Sequence, residues 1–544
     1  MTIETDAIVV GSGASATSAA FPLVRAGLTV RMLDVGNVDA RYSRLIPDAP
    51  FSEIRASDSA QHRYFLGDEF EGVPFGHLRV GAQLTPPRRH ITQDTDTLTP
   101  VAADNFSGME SLALGGLGAG WGAVAVQFDA KDLEGYPIGQ ADLAPHYASV
   151  SARIGISGER DDLLRFYGDC ASLQPPLDLD ANGQLLLESY ARKKHDMNRR
   201  GIHLGRARLA VLSKDLGERR AQQYRDMDFY SDSERSVFRP AFAVDELRGH
   251  AKFRYESPYL VERFRELDGG VEVDALHVAS GRVERLRARR LVLAAGTLGS
   301  ARIVLRSLDR YDTPLPLVAN PYTYVPCLSL GRVGKAAPER RHSLTQVGVI
   351  YEPPADRDGP FPRVHAQAYS YRSLLLFKLV KEAPLPVPSA FRIMRELVNA
   401  FVILGIHHED RPSAGKRCVL RRAGPGERDR LEVTYHETPE VEARQARAEK
   451  GLLRGFRNLG CWPLKRIRPG NGASIHYGGT LPMCREEREL SATPEGRLRG
   501  TRSVFVADGS LLPHLPAKAL TLTLMANAER VGSILARDLT GGAA

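Results

Sequence analysis

The sequence predicts an α/β fold in which a nucleotide-binding domain with a parallel sheet holds an inserted α+β domain built on an antiparallel sheet. Parallel-type strands near both ends of the chain indicate the first domain. Short alternating segments between about 310 and 465 indicate the second. The chain has 544 residues, more than one hydrophobic core usually serves, so at least two domains are expected.

The first 36 residues carry the clearest pattern. An apolar run predicts a strand buried on both faces, and Gly11, Gly13 and Ala16 follow it as G-x-G-x-x-A. Gly11 allows a tight turn, Gly13 lets the backbone approach a pyrophosphate, and the small Ala16 lets helix and strand pack closely. The next strand ends at Asp34, whose carboxylate can accept hydrogen bonds from a ribose 2′-OH. This unit predicts a Rossmann-like dinucleotide site with a helix N-terminus at the phosphates.

Two later glycine-rich segments predict further contacts with the dinucleotide, at 291–300 and 504–510. A strand that ends in small residues, as in LVLAAG, brings bare backbone close to a cofactor. That strand and the N-terminal place of the first motif favour FAD over NAD. Asp508 can accept a hydrogen bond from the ribityl chain or cap the helix that follows. The candidate cofactor-binding residues in these two segments are Ala295, Gly296, Asp508 and Gly509.

The domain boundaries are expected to follow these segments. Residues 37–104 lack clear periodicity and predict surface excursions that cover the cofactor. The substrate domain is expected at 151–249 and 310–465. The discontinuous FAD-binding domain is expected to comprise residues 1–36, 105–150, 250–309 and 466–544.

Three amphipathic or apolar stretches predict helices. One follows Asp142 as its cap, and one, EVEARQARAEKGLLRGFRNLG, ends at Gly460. The third, FRIMRELVNAFVILGI at 391–406, predicts a helix that packs on the core or, alternatively, lines an apolar substrate entrance. It is too short to span a bilayer and contains Arg392 and Arg395, so no transmembrane segment is expected.

Composition excludes several function classes. A net charge of +8 is small for this length, and the basic cluster at 191–208 is interrupted by apolar and acidic residues, so no nucleic acid partner is expected. The five cysteines are odd in number, far apart and form no CxxC, which disfavours a disulfide framework and a metal site. The acidic N-terminus does not resemble a signal peptide, so a cytoplasmic location is expected.

A histidine near the C-terminus, His476 in ASIHYGGTLPM, is the candidate catalyst, although a lone histidine is more often structural. Its context changes that expectation. Taken together, VVGSGASA, LGGLGAGWGA, LVLAAGTLGSARIVL, IHYGGTLPM and VFVADGSLLPHLPAKALTLTLMANAER resemble the glucose–methanol–choline (GMC) oxidoreductases in order and spacing. The resemblance is clear at 1–36, 107–150, 291–305 and 473–535, and only coarse in between.

The resemblance implies an FAD-dependent oxidoreductase that takes a hydride from a CH–OH group to flavin N5, with His476 as the general base. An imidazole is suited to accept the hydroxyl proton near neutral pH. The implied substrate is a small-molecule alcohol: a sugar, glycoside, sterol or natural-product alcohol. Oxygen or another acceptor would reoxidise the flavin. The alternatives are a redox-neutral flavin-containing lyase or decarboxylase of the same fold, and a non-enzymatic binding module.

The chain departs from the family pattern at three positions. Gly120 stands where some members attach FAD through a histidine, so non-covalent FAD is expected. The resemblance implies that Gly115, Gly116 and Trp121 in the glycine-rich segment at 107–122 contact the cofactor. Trp121 stands where the family often has asparagine, and would shape the flavin pocket. Ala519 stands where the family has a second His or Asn beside the catalytic histidine. Lys518 and His514 lie close by in sequence and are the candidates to fill that role.

Overall fold

The computed structural model describes residues 5–72, 84–336, 340–355, 359, 361–370 and 384–541. The strands in this part of the chain are β1 (Ala7–Val10), β2 (Val30–Leu33), β3 (Val101–Asp104), β4 (Ile156–Ser157), β5 (Leu173–Gln174), β6 (Ile202–Arg206), β7 (Phe253–Glu256), β8 (Tyr259–Leu267), β9 (Gly270–His277), β10 (Arg282–Ala288), β11 (Arg290–Leu293), β12 (Leu315–Pro316), β13 (Val318–Ala319), β14 (Tyr322–Ser329), β15 (Val347–Tyr351), β16 (Val364–Ser370), β17 (Phe401–His408), β18 (Lys416–Arg421), β19 (Arg430–Tyr435), β20 (Cys461–Pro463), β21 (Tyr477–Gly478) and β22 (Val504–Val506).

The α-helices of the same residues are α1 (Ala14–Arg25), α2 (Phe51–Ser57), α3 (His62–Phe65), α4 (Thr95–Leu98), α5 (Gln140–Ile154), α6 (Leu164–Tyr167), α7 (Ala181–Arg199), α8 (Pro240–Arg248), α9 (Thr297–Ser307), α10 (Val387–Leu397), α11 (Pro439–Asn458) and α12 (Thr521–Thr540). None of these helices is long and apolar enough to cross a membrane.

The predicted parallel sheet is confirmed. It has the order β22-β11-β1-β2-β7, and every neighbouring pair is parallel. The strand β1 lies at its centre and is fully buried, as its continuous apolar run requires. The C-terminal helix α12 packs on α1. At Gly532 a Cβ atom would come within 2.3 Å of the Ala19 carbonyl oxygen, so only glycine permits this approach.

The predicted antiparallel sheet is also confirmed, with the order β20-β14-β17-β16-β15-β6. Its two faces have different neighbours because side chains alternate along each strand. One face packs on α7 and α11 and forms an apolar core with residues such as Leu186, Leu452 and Leu404. The opposite face of β14, β16 and β17 is directed at the glycine-rich segments and contributes to a large cavity.

The helix predicted over 391–406 is wrong in its second half. The helix α10 ends at Leu397, and after a short 3-10 turn the chain continues as β17. Every residue of β17 is buried, so the strand shows no alternation of apolar and polar residues. A continuous apolar run of this kind cannot be assigned to a helix or a strand from periodicity alone. The helix itself packs Met394 and Leu397 against the strand that follows it.

Smaller expectations have mixed outcomes. Gly460 follows the end of α11 with φ 81°, as predicted. The prediction that Asp142 is the N-terminal cap of α5 is wrong. The cap is Gly139, whose backbone N–H donates a hydrogen bond to the Asp142 carboxylate at 2.8 Å. The five cysteines are all free thiols. The domain boundaries remain a prediction, and residues 73–83 of the predicted cofactor cover lie outside the described residues.

Candidate active site

A cavity of about 1060 Å³ lies between the two sheets and has two chemically different ends. The first, called here the nucleotide end, is lined by Gly11, Ser12, Gly13, Asp34, Gly116, Trp121, Ala295, Gly296, Asp508 and Gly509. The second, called here the sheet end, is lined by Tyr322, Tyr324, Gln367, Tyr369, Asn399, Ile403 and His407. His476 and Ala519 line the same cavity.

The nucleotide end is built from bare backbone. Gly11 has φ +95°, and a Cβ atom there would come within 2.7 Å of the Ala294 carbonyl oxygen, so no other residue fits the turn. Gly13 precedes α1, and Gly296, with φ +81°, precedes α9. Two helix N-termini therefore point their free N–H groups toward this end of the cavity.

Ser12, which the sequence did not single out, joins two of the glycine segments. Its hydroxyl donates to the Asp34 carboxylate and accepts a hydrogen bond from the Gly115 N–H at 2.8 Å. Tyr255 also donates to Asp34, at 3.1 Å. Burial raises the pKa of Asp34 to about 6, and these two hydrogen bonds oppose that rise. A carboxylate held here against its desolvation cost is a strong acceptor for a ligand hydroxyl.

Asp508 follows β22 and has one of the two roles that the sequence left open, the cap; the hydrogen bond to a ribityl chain stays a prediction. Its carboxylate accepts hydrogen bonds from the Ser300 hydroxyl at 2.6 Å and from the Ser510 N–H at 2.9 Å. It therefore caps the short 3-10 helix at Gly509–Leu511 while it also lines the cavity. Burial raises the pKa of Asp508 despite these donors.

His476 lies between the two ends. The next residue, Tyr477, accepts a hydrogen bond from the Thr297 hydroxyl at 3.1 Å, which ties the segment to the start of α9. The preceding residue, Ile475, has φ 59°, a conformation that costs a β-branched residue about 1–3 kcal/mol. The backbone is thus held in a strained shape that presents the His476 ring to the cavity.

The His476 ring has no hydrogen-bond partner in the part of the chain that the structure describes. Its Nδ1 is buried and has no hydrogen bond, so Nε2 is the ring nitrogen open to the cavity. Burial lowers the pKa of His476 to about 4. At neutral pH the imidazole is uncharged and can accept a proton.

His407 is the functional candidate that the sequence analysis missed. Its ring stacks on the His476 ring with a centroid distance of 5.2 Å and an interplanar angle of 21°. Its Nδ1 is likewise buried without a hydrogen bond. It was missed because it follows the apolar run of β17, which was assigned to a helix. The pair of histidines in GIHHED was the available signal.

Comparisons with known proteins support the resemblance to the GMC oxidoreductases. Residues 428–528 match the family model described as GMC oxidoreductase. The chain is also 24% identical over 560 residues to paromamine 6′-oxidase of Streptomyces fradiae, an alignment that covers 98% of this chain and 92% of that protein. The chain is therefore similar to GMC oxidoreductases, and the family model itself covers residues 428–528.

Solved structures share the overall fold of this chain. Pyridoxine 4-oxidase from Mesorbium loti superposes with a TM-score of 0.59 and 16% identity, covering 99% of this chain and 100% of that one. Formate oxidase of Aspergillus oryzae RIB40 superposes with a TM-score of 0.61 and 12% identity, covering 100% of both chains.

GMC oxidoreductases are flavoenzymes that use FAD, and the nucleotide end fits that cofactor. The cavity exceeds the ~300–1,000 Å³ typical of pockets for drug-sized ligands, as a dinucleotide together with a substrate requires. The Asp34 carboxylate faces the cavity where a ribose would need an acceptor. Trp121 lines the cavity and donates its indole N–H to the Phe238 carbonyl at 2.7 Å, so its ring is fixed as an apolar wall.

The structure does not bring Lys518 or His514 to the cavity. The Lys518 ammonium is fully buried and donates to Asp132 at 2.5 Å, to Asp129 at 3.2 Å, and to two backbone carbonyl groups. His514 donates from Nε2 to the Glu134 carbonyl at 2.8 Å. Both side chains are thus occupied by structural partners, and neither faces the place of the missing family residue at Ala519.

Proposed function

We propose that this enzyme oxidises a CH–OH group of a polyhydroxylated organic alcohol, with His476 as the general base and non-covalently bound FAD. The observation that carries the proposal is the uncharged, unpartnered His476 imidazole, which lies where the nucleotide end meets the sheet end of one cavity. Bound FAD supplies the acceptor for the hydride that leaves the substrate carbon.

In this proposal several residues of the cavity have separate roles. His476 takes the hydroxyl proton on Nε2 as the carbon loses its hydride, which leaves a carbonyl product. The imidazolium that forms is disfavoured by burial, so it readily releases its proton to solvent when the product leaves. Trp121 and the glycine segments exclude water from the cofactor side. Gly120 has no side chain through which FAD could be linked, which supports non-covalent binding.

The sheet end supports a cyclic, hydroxyl-rich substrate such as a sugar or glycoside. Tyr322, Tyr324 and Tyr369 line this end and offer flat aromatic rings on which a sugar ring can pack. Gln367 and Asn399 add amides that can both donate and accept hydrogen bonds. Paromamine, the substrate in the name of the similar Streptomyces protein, has this chemistry, and we propose oxygen as the electron acceptor because that relative is named an oxidase.

Anaerobic mixing tests the proposal. Purified enzyme is mixed with paromamine, pyridoxine, glucosamine and methyl glucoside, and the flavin absorbance is followed. At least one alcohol is expected to bleach the flavin and to yield the corresponding carbonyl product. A flavin that is reduced by dithionite but by no alcohol contradicts the proposal, and a product of carbon–carbon cleavage without flavin reduction supports a redox-neutral lyase instead.

A further inference from the structure

The two histidines of GIHHED lie on opposite faces of β17. His408 faces the helices, where its Nε2 pairs with the Glu449 carboxylate of α11 at 3.3 Å. His407 faces the cavity, where none of the residues that the structure describes forms a hydrogen bond with its ring nitrogens. Adjacent residues of a strand point in opposite directions, so the difference follows from register. One histidine is held as part of the core, and the other is presented to whatever occupies the cavity.

The His407 ring is fixed in position by its neighbours in the sheet. It pairs across the strands with Tyr322 of β14 and His365 of β16. The Tyr322 ring lies 4.7 Å away on one side, and the His476 ring lies 5.2 Å away in a near-parallel stack. A buried ring packed between two others loses little entropy when it binds a ligand. His407 is therefore preorganised beside the proposed base.

Asn320 links the segments that carry both histidines to the segment that carries Ala519. Its backbone N–H donates to the His476 carbonyl at 3.2 Å. Its side-chain amide donates to the His408 carbonyl at 2.8 Å and to the Pro516 carbonyl at 2.9 Å. These three bonds fix the relative places of the two imidazoles and of the alanine that also lines the cavity.

The two imidazoles do not compete for the same proton. Burial lowers the pKa of His407 well below its ordinary value, and a positive charge on His476 lowers it further. When His476 takes a proton, His407 therefore stays neutral. A neutral imidazole with its proton on Nε2 donates one hydrogen bond into the cavity, which is the capacity that alanine lacks at position 519.

We propose that His407 is a second catalytic residue, which donates a hydrogen bond from Nε2 to the substrate oxygen beside His476 and so replaces, from the substrate-domain sheet, the group missing at Ala519. This inference rests on the proposed function. As the hydroxyl proton moves to His476 and the hydride leaves the carbon for the bound FAD, the C–O bond becomes double. His407 keeps its own proton throughout and stabilises the negative charge that develops on oxygen.

A rescue experiment tests the proposal, with the alcohol that reduces the wild-type flavin fastest. His407→Ala is expected to slow anaerobic flavin reduction about 100-fold at saturating alcohol, the usual effect of losing one such donor. Adding Ala519→Asn in the same chain is expected to raise the rate of flavin reduction at least tenfold above that of His407→Ala. The matched control is His408→Gln, one residue away on the opposite face, which is expected to change the rate less than threefold.

A second readout needs no turnover. In flavin-free protein carrying ¹⁵N-labelled histidine, the alcohol is expected to shift the Nε2 resonance of His407, and His407→Ala is expected to remove that signal. If the wild type reduces its flavin normally, an unchanged rate in His407→Ala with intact FAD content and melting temperature rejects this inference alone. If no alcohol reduces the wild-type flavin, the proposed function and this inference both fail.

Discussion

Two clusters of buried polar side chains in this enzyme differ in whether the surrounding protein provides them with partners. Around Lys518, every charge has a partner: the ammonium contacts Asp129 and Asp132, which also pair with Arg363 at 2.6 and 3.1 Å. His476 and His407 both line the cavity, and no described residue forms a hydrogen bond with either ring. Folding satisfies buried polar groups wherever it can, so a cluster left unsatisfied indicates a place kept for a ligand.

The largest effect is expected from a substitution in the histidine cluster. His476→Ala removes the proposed base, and flavin reduction by the alcohol is expected to slow about 1,000-fold. The free energy of unfolding is expected to change little, because Nδ1 makes no hydrogen bond that is lost. Stopped-flow absorbance measures the rate, and urea denaturation measures the stability. A rate within tenfold of the wild type would exclude His476 as the base.

The next largest effect is expected from a substitution in the lysine cluster. Lys518→Met leaves Asp129 and Asp132 with less positive charge in a buried site, and the loss of one partner of such a cluster typically costs about 3–5 kcal/mol. We expect that loss in the free energy of unfolding measured in urea. Asp132→Asn added to Lys518→Met is expected to recover part of the stability, because it removes the uncompensated charge. Full stability in the single variant would show that Lys518 is not structural.

A smaller effect concerns the Asp34 carboxylate at the nucleotide end. Because burial raises its pKa from 3.8 to about 6, its contribution to stability is present below pH 4 and is lost as pH rises through 6. In flavin-free protein at pH 8, Asp34→Asn is therefore expected to gain about 1–2 kcal/mol, a value reduced for the exposure of Asp34 to the cavity. FAD affinity, measured by fluorescence titration, is expected to fall about tenfold in the same variant. Equal stability of the two proteins at pH 8 would contradict the first expectation.

The smallest effect is expected in the pH dependence of catalysis. Since the pKa of His476 is lowered to about 4, the ring is deprotonated and competent throughout the neutral range. We expect kcat/KM for the alcohol to be level from pH 8 down to about pH 5 and to fall as His476 becomes protonated near pH 4. Steady-state assays in buffers of constant ionic strength give this profile, with FAD release followed in parallel. A midpoint near pH 6.5 would place the controlling histidine in a less buried setting.

The parts of the site that sequence predicted are those set by local backbone chemistry. Gly11, Gly13 and Asp34 follow from a strand–turn–helix unit whose pattern lies within thirty residues, and the structure places them together at the cavity. Such features depend on neighbours in the chain, so one sequence is enough to reveal them. His476 differs, because its own short segment favours a structural histidine and only the resemblance of five motifs along the chain makes it the candidate catalyst.

The parts that sequence could not predict depend on distant partners. The contacts of Lys518 come from residues 127–132 and from Phe166, and nothing near position 518 indicates them. His407 belongs to a strand buried on both faces, where an apolar run gives no sign of its register. Only the pairing of β17 with β14 and β16 shows that His407, and not His408, faces His476.

The most direct test of this account measures two quantities, the rate of anaerobic flavin reduction and the free energy of unfolding, in both His476→Ala and Lys518→Met. The account predicts a crossed result: His476→Ala loses about three orders of magnitude in rate and keeps its stability, whereas Lys518→Met loses several kcal/mol of stability and keeps its rate within a few-fold when folded. The reverse result, with a slow but stable Lys518→Met and a fully active His476→Ala, would contradict it.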